Sequence, residues 1–196
     1  MKAMTDSDEL TREGDLAVRG MRDELADYAL FVRWRNEPHV AEWWTTDDDP
    51  TPTTPERVAE KYGPRTEDAS WVTSCIITLD DRPVGYVQFY PWDAEAKAAA
   101  EIGVPVIAGS FGLDIFIGEP DVIDHGVGSR VVALIARYLF EARDATAIAL
   151  LTPVGNSRAQ RAYEKAGFRK VGQTLDDLVG GERRMSWLMV LDRPLA

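Results

Sequence analysis

The chain is 196 residues long, 45% apolar, and carries a formal net charge of −11. That length can bury a full core in one domain, and the negative charge argues against nonspecific nucleic-acid binding while favouring a cationic partner by long-range attraction. A single cysteine, Cys75, excludes a disulfide framework and fits a reducing compartment.

The opening MKAMTDSDELTREGD is polar and acidic with no apolar segment, so residues 1–13 read as a loose tail, with neither signal peptide nor membrane span. The expectation is a cytoplasmic protein of one domain. Asp15 to Met21 reads as a strand, and Glu24 to Trp34 as a helix with Leu25, Tyr28, Ala29 and Val32 on one side. Pro38 stops it. NEPHVAEWW then ends in the pair Trp43 and Trp44, and Thr45 to Pro55 forms a proline-rich acidic loop before a short helix to about Tyr62. Trp71 to Leu79 and Pro83 to Trp92 form a hairpin around Asp80-Asp81-Arg82. Asp93 to Ala108 lacks periodicity and is read as a loop on the substrate side.

Ser110 to Ile117 is a strand with Phe111, Leu113, Ile115 and Ile117 on one face and Gly112, Asp114 and Phe116 on the other. The polar turn holding Gly126 and Gly128 runs into an amphipathic helix whose Val131, Leu134, Ile135, Tyr138 and Leu139 seek a core. Its first-turn N–H groups have no helical partner, so this is either an ordinary glycine turn or a cradle for phosphate. Ala145 to Leu151 is the next strand, parallel to the one before the helix. Ser157 to Ala166 is a helix with a capping box of Ser157 and Gln160, ended by Gly167. Phe168 to Thr174 and Arg183 to Leu191 complete the sheet, joined by a Gly-Gly turn.

Charge is unevenly spread. Glu37 to Glu60 holds seven acids against one base, as does Asp93 to Asp124, whereas Gly126 to Lys170 holds eight bases against three acids. This suggests two ligands of opposite sign, or else solvated helix faces. The chain lacks GxxxxGK[ST], the third glycine of a dinucleotide fingerprint, HExxH, CxxC and GxSxG, and its histidines are only His39 and His125. P-loop, zinc and serine-hydrolase chemistry are therefore not expected. Three features remain. Asp114 puts a carboxylate in an apolar strand, where it is either a core group bound to backbone or a functional one. Tyr163 could pack or donate a proton. Trp43 and Trp44, beside Glu42 and Asp47, could be core or could offer flat apolar surface and charge to a sugar-like cation.

The order GLDIFIG, HGVGSR and NSRAQRAYEKAGF resembles the GNAT superfamily of acetyl-CoA-dependent N-acetyltransferases. NEPHVAEWW, PVGYVQFY, GLDIFIG and RAYEKAGF together look like its aminoglycoside 6′-N-acetyltransferases, over about residues 15 to 190. The resemblance implies an α/β (α+β) GNAT fold, with one mixed sheet of six to seven strands flanked by helices. It implies acetyl-CoA as co-substrate, with no metal. His125, Gly126, Val127, Gly128, Ser129 and Arg130 would give backbone amides to the pyrophosphate, and Ile115, Phe116 and Ile117 would pair with the pantetheine arm. Asn156, Arg158 and Ala159 would line the same channel. Tyr163 would protonate the departing thiolate, and Asp114 would orient or deprotonate the amine. Trp43, Trp44, Tyr62, Gln88, Asp93, Glu95 and Glu101 would border the aminoglycoside.

The implied partner is a small cationic molecule, with no nucleic acid or membrane, and the chain a monomer or homodimer. Other acceptors open to such an enzyme are a siderophore lysine or a polyamine, and a GNAT fold can also bind a cation without transfer. The chain departs from the pattern at Ile123, where Gln or Arg is usual, at Thr152, where an acid is expected, and through the loop from Pro91 to Val106.

Overall fold

The computed structural model describes residues 9–46, 49–67, 69–92, 108–177 and 183–194. Eight strands form one sheet: β1 (Glu9–Glu13), β2 (Leu16–Gly20), β3 (Thr73–Leu79), β4 (Arg82–Pro91), β5 (Phe111–Ile117), β6 (Ala147–Pro153), β7 (Arg169–Asp177) and β8 (Arg183–Asp192). The spatial order is β1-β2-β3-β4-β5-β6-β8-β7, antiparallel throughout except for the parallel pair β5 and β6. Among the described residues five α-helices accompany it: α1 (Leu25–Arg35), α2 (Pro38–Trp44), α3 (Pro55–Tyr62), α4 (Val127–Ala142) and α5 (Ser157–Lys165). None of the described helices is long and apolar enough to cross a membrane.

The alternation of each strand sorts its side chains onto the two faces of the sheet. Val131, Leu134, Ile135 and Leu139 of α4 pack on Cys75, Ile77, Val87, Phe89 and Leu113. On the other face Tyr28, Phe31 and Trp34 of α1, with Val58 and Tyr62 of α3, meet Ile76, Tyr86 and Phe116. The period of two therefore puts Leu113 and Phe116 on opposite faces, as the sequence pattern requires.

Three expectations change. The sheet has eight strands rather than six or seven, because Glu9–Glu13, expected in the tail, pairs antiparallel with β2. That strand has one apolar residue, Leu10, which rests on the α4 core, so no alternation betrays it. The buried stripe of α1 is Tyr28, Phe31, Trp34 and Arg35, with Leu25 81% exposed; the aromatic residues at helical spacing outweigh the aliphatic ones in buried area. The cap of α5 is Asn156 and not Ser157: the Ala159 N–H donates to Asn156 Oδ1 at 3.1 Å, while the Gln160 amide donates to the carbonyls of Pro153 and Val154. Gly167 does follow this helix in left-handed backbone, φ +99°. The Gly-Gly turn between β7 and β8 lies outside the described residues.

One feature of the sheet makes room for a site. β5 and β6 are seven residues each but pair only at Phe111–Ile148 and Gly112–Ala149. Beyond Gly112 they separate, and a wedge opens between them.

Candidate active site

One side of the wedge is built from α4 and the turn before it. Gly126 has φ +78°, which points the chain into the helix in a conformation that other residues adopt at a cost. Space is not the reason, since a Cβ at Gly126 would meet nothing within 4 Å. Val127, Gly128 and Ser129 then fill the first turn, where backbone N–H groups have no carbonyl one turn back. Arg130 does not join them. Its N–H donates to the Gly126 carbonyl at 3.2 Å and its guanidinium pairs with Asp15, so the amide expected to meet a pyrophosphate is engaged within the helix here. His125 is exposed and also stands outside the wall.

The resulting cavity, about 230 Å³, is bounded by Gly126 to Ser129, by Ile115, Phe116 and Ile117 of β5, and by α5. Ile123 is part of its wall. Arg158, Arg161 and Lys165 line it together, because spacings of three, four and seven share one helix face. Of these only Arg158 was expected, although the spacing itself was visible. Unpartnered helix-start amides facing three cations suit an elongated anion.

The second cavity, about 340 Å³, lies toward α2 and α3 and includes Trp43, Trp44, Tyr62, Gln88 and Asp114. Gln88 and Asp114 are opposite each other on β4 and β5, and Gln88 Nε2 donates to Asp114 Oδ2 at 2.9 Å. The Gln88 carbonyl oxygen accepts from Arg65 at 2.7 Å and from the Tyr86 hydroxyl at 2.9 Å, which fixes the amide's orientation. Trp44 sits edge-on to Phe116, ring centres 4.9 Å apart, and its indole N–H reaches the Tyr62 hydroxyl at 3.4 Å. His39 Nε2 lies 3.0 Å from the Ile117 carbonyl oxygen and ties α2 to β5.

Among the described acids, two depart from expectation. Glu42 is exposed and lies on neither cavity, whereas Asp49, buried, lines the second. Asp49 is paired with Arg35 at 3.1 Å and lies 3.8 Å from Lys61, so its charge is matched within the fold. Asp93, Glu95 and Glu101 fall outside the described residues, as does Asp47. Lys61, Arg65, Trp92, Thr152 and Arg184, none of them foreseen as a site group, also line the cavity. They come from five separate parts of the chain and carry no shared spacing.

The two cavities share Trp43, Trp44, Ile115, Asn156, Ala159 and Tyr163. Tyr163 is 7% exposed, and burial, followed by the nearby Asp114 charge, pushes its phenol above the ordinary tyrosine value. The phenol is therefore held in its neutral form. A cationic channel for an anion and a pocket holding a carboxylate thus meet at one phenol.

The Acetyltransferase (GNAT) domain model matches residues 23–175. The chain belongs to the GNAT acetyltransferases. It is 30% identical over 154 residues to the aminoglycoside N(6′)-acetyltransferase type 1 of Klebsiella pneumoniae, covering 74% of this chain and 71% of the relative. The protein of that name from Serratia marcescens matches equally. Among solved structures, AAC(6′)-Ib in complex with ribostamycin and coenzyme A superposes with a TM-score of 0.73 at 26% identity, over 92% of this chain and 94% of that one. A GNAT domain of this kind makes the chain an acyltransferase, and the eight-stranded sheet with its split between β5 and β6 is its GNAT scaffold.

Proposed function

We propose that this GNAT acetyltransferase moves the acetyl group of acetyl-CoA directly to the 6′-amine of an aminoglycoside, in a ternary complex, and so confers resistance to such antibiotics. The observation that carries the reading is the junction at Tyr163, where the cationic cavity and the Asp114 cavity share a wall. The two curated relatives named for this activity add support, at 30% identity.

In this reading the amides of Val127, Gly128 and Ser129 hold the diphosphate, aided by Arg158, Arg161 and Lys165. Ile115 to Ile117 present a strand edge to the pantetheine arm. An alkylamine with a pKa of about 10 is protonated at neutral pH, so Asp114 first binds the ammonium and then takes its proton, directly or through a water. Gln88 keeps that carboxylate in place. The amine nitrogen then forms a bond to the thioester carbon, a β5 backbone N–H steadies the oxyanion, and the carbon–sulfur bond breaks as Tyr163 gives its proton to the thiolate; the nitrogen loses its surplus proton as the amide forms, and that proton returns to the Tyr163 oxygen through solvent. Alignment of amine and thioester supplies much of the acceleration.

The test is thiol release from acetyl-CoA with kanamycin A and with its analogue bearing a 6′-hydroxyl. Release with the first and none with the second is expected. If neither reacts while a polyamine or a siderophore amine does, the acceptor assignment falls and the acyltransferase remains.

A further inference from the structure

Two polar groups on the wall of the larger cavity have no hydrogen-bond partner among the described residues. They are the indole N–H of Trp92 and the hydroxyl of Thr152, both buried, their side chains 5% and 2% exposed. Buried polar side chains almost always find a partner, so two orphans on one cavity mark a place where the partner arrives with a ligand. Trp92 continues the alternation of Gln88 and Tyr90 along β4, stacks on Tyr90 with ring centres 6.4 Å apart, and packs on Ala149 and Leu188. Its position is therefore fixed before anything binds.

We propose that Trp92 Nε1 and Thr152 Oγ1 form a hydrogen-bonding subsite for oxygen atoms of the acceptor, hydroxyl or carbonyl groups separate from the amine that is acetylated. The inference rests on the reading of this cavity as the acceptor site. An indole N–H donates and cannot accept, so it offers nothing to an ammonium. A polyamine, all ammonium and methylene at neutral pH, can donate to the Thr152 hydroxyl but leaves the Trp92 indole N–H unmatched; an amino sugar, rich in hydroxyls, matches both. This chain thus selects oxygen-bearing amines over polyamines at the same catalytic junction.

Calorimetric titration of kanamycin A and of spermidine into coenzyme-A-saturated enzyme tests it, with Trp92→Phe and Thr152→Val as variants. Kanamycin A is expected to bind wild type, with its Kd raised roughly three- to tenfold in each variant, while coenzyme A affinity and melting temperature report an intact fold. Spermidine is expected to bind wild type at least about tenfold more weakly. Unchanged kanamycin affinity in both variants, or spermidine binding as tightly as kanamycin A, overturns the subsite and leaves the aminoglycoside reading in place. Kanamycin binding that is weakened by the variants but followed by no acetyl transfer overturns the aminoglycoside reading and leaves the subsite. If kanamycin A does not bind at all, both fall.

Discussion

Gln88 and Asp114 are cross-strand partners on β4 and β5, joined by a 2.9 Å hydrogen bond from amide to carboxylate. Arg65 and Tyr86 occupy the other end of the amide, so Gln88 cannot turn over without losing both. The carboxylate proposed as base is thereby held in one orientation relative to Tyr163. Replacing Gln88 with Met keeps the length and removes the hydrogen bonds. Turnover is expected to fall about tenfold, the scale of a misoriented catalytic group, with coenzyme A affinity unchanged by calorimetry. Equal loss of cofactor binding would show a collapse of the wedge instead.

Asp114→Asn removes the proposed base while preserving the Gln88 partner's size and neighbours. Turnover is expected to drop by about 10²- to 10⁴-fold, with the melting temperature close to wild type. Unchanged kinetics would remove Asp114 from the mechanism.

Tyr163 is held neutral by burial and by the Asp114 charge. The sign follows from the raised value: the neutral phenol is favoured by the fold, that contribution is fully present below about pH 10 where a free tyrosine titrates, and it is lost only as pH climbs through the higher folded value. Turnover measured from pH 6 to 9.5 should therefore show no alkaline decline that depends on this residue, and Tyr163→Phe should lower turnover throughout. A descending limb near pH 8 that vanishes in Tyr163→Phe would mean a phenol that ionises too early to act as proposed.

Much of the scaffold is legible in local patterns. The α4 stripe, the strand carrying Asp114 and the hairpin of β3 and β4 each rest on a period of 3.6 or two, and the structure keeps them. Short polar elements escape such reading: β1 is held by pairing with β2 and by ion pairs such as Arg137 with Glu13 at 2.7 Å, which no spacing announces. Likewise Arg130 lies in the glycine motif, yet its N–H belongs to the helix and its charge to Asp15, because the fourth residue of a helix already has an acceptor. The pocket residues Trp92, Thr152 and Arg184 are brought together only by the separation of β5 from β6, a tertiary event with no local trace.

The cationic face of α5 carries a different expectation. Arg158 and Arg161 are exposed at the mouth of the smaller cavity, where attraction to an anion is screened by salt. Arg158→Gln with Arg161→Gln should raise the KM for acetyl-CoA about tenfold at low ionic strength, and by less at 0.5 M salt. The KM for the acceptor should stay the same. A salt-independent defect would place the loss in packing rather than charge.

Glu119, 5% exposed, ties three parts of the molecule together away from the chemistry. It accepts from the Trp34 indole at 2.7 Å and from Arg82 at 2.9 Å, and pairs with Arg33, linking α1, β4 and the segment after β5. Burial alone would raise its pKa, but the hydrogen bonds from Trp34, Arg33 and Arg82 outweigh it and the carboxyl lies below the ordinary glutamate range. A depressed folded value means stability that is fully present above about pH 4.3, the unfolded value, and lost as pH falls through the lower folded one. Glu119→Gln keeps the shape and removes the charge, and is expected to cost on the order of 2 kcal/mol at pH 7, a fall in melting temperature of about 4–8 °C for a chain of this size. Because acid protonates the wild-type carboxyl and abolishes the same charge, the gap between the two proteins should close as urea unfolding is followed from pH 7 to pH 3. A gap of constant size would mean that the carboxylate acts through its shape and its bond to Trp34, with the two arginines contributing nothing.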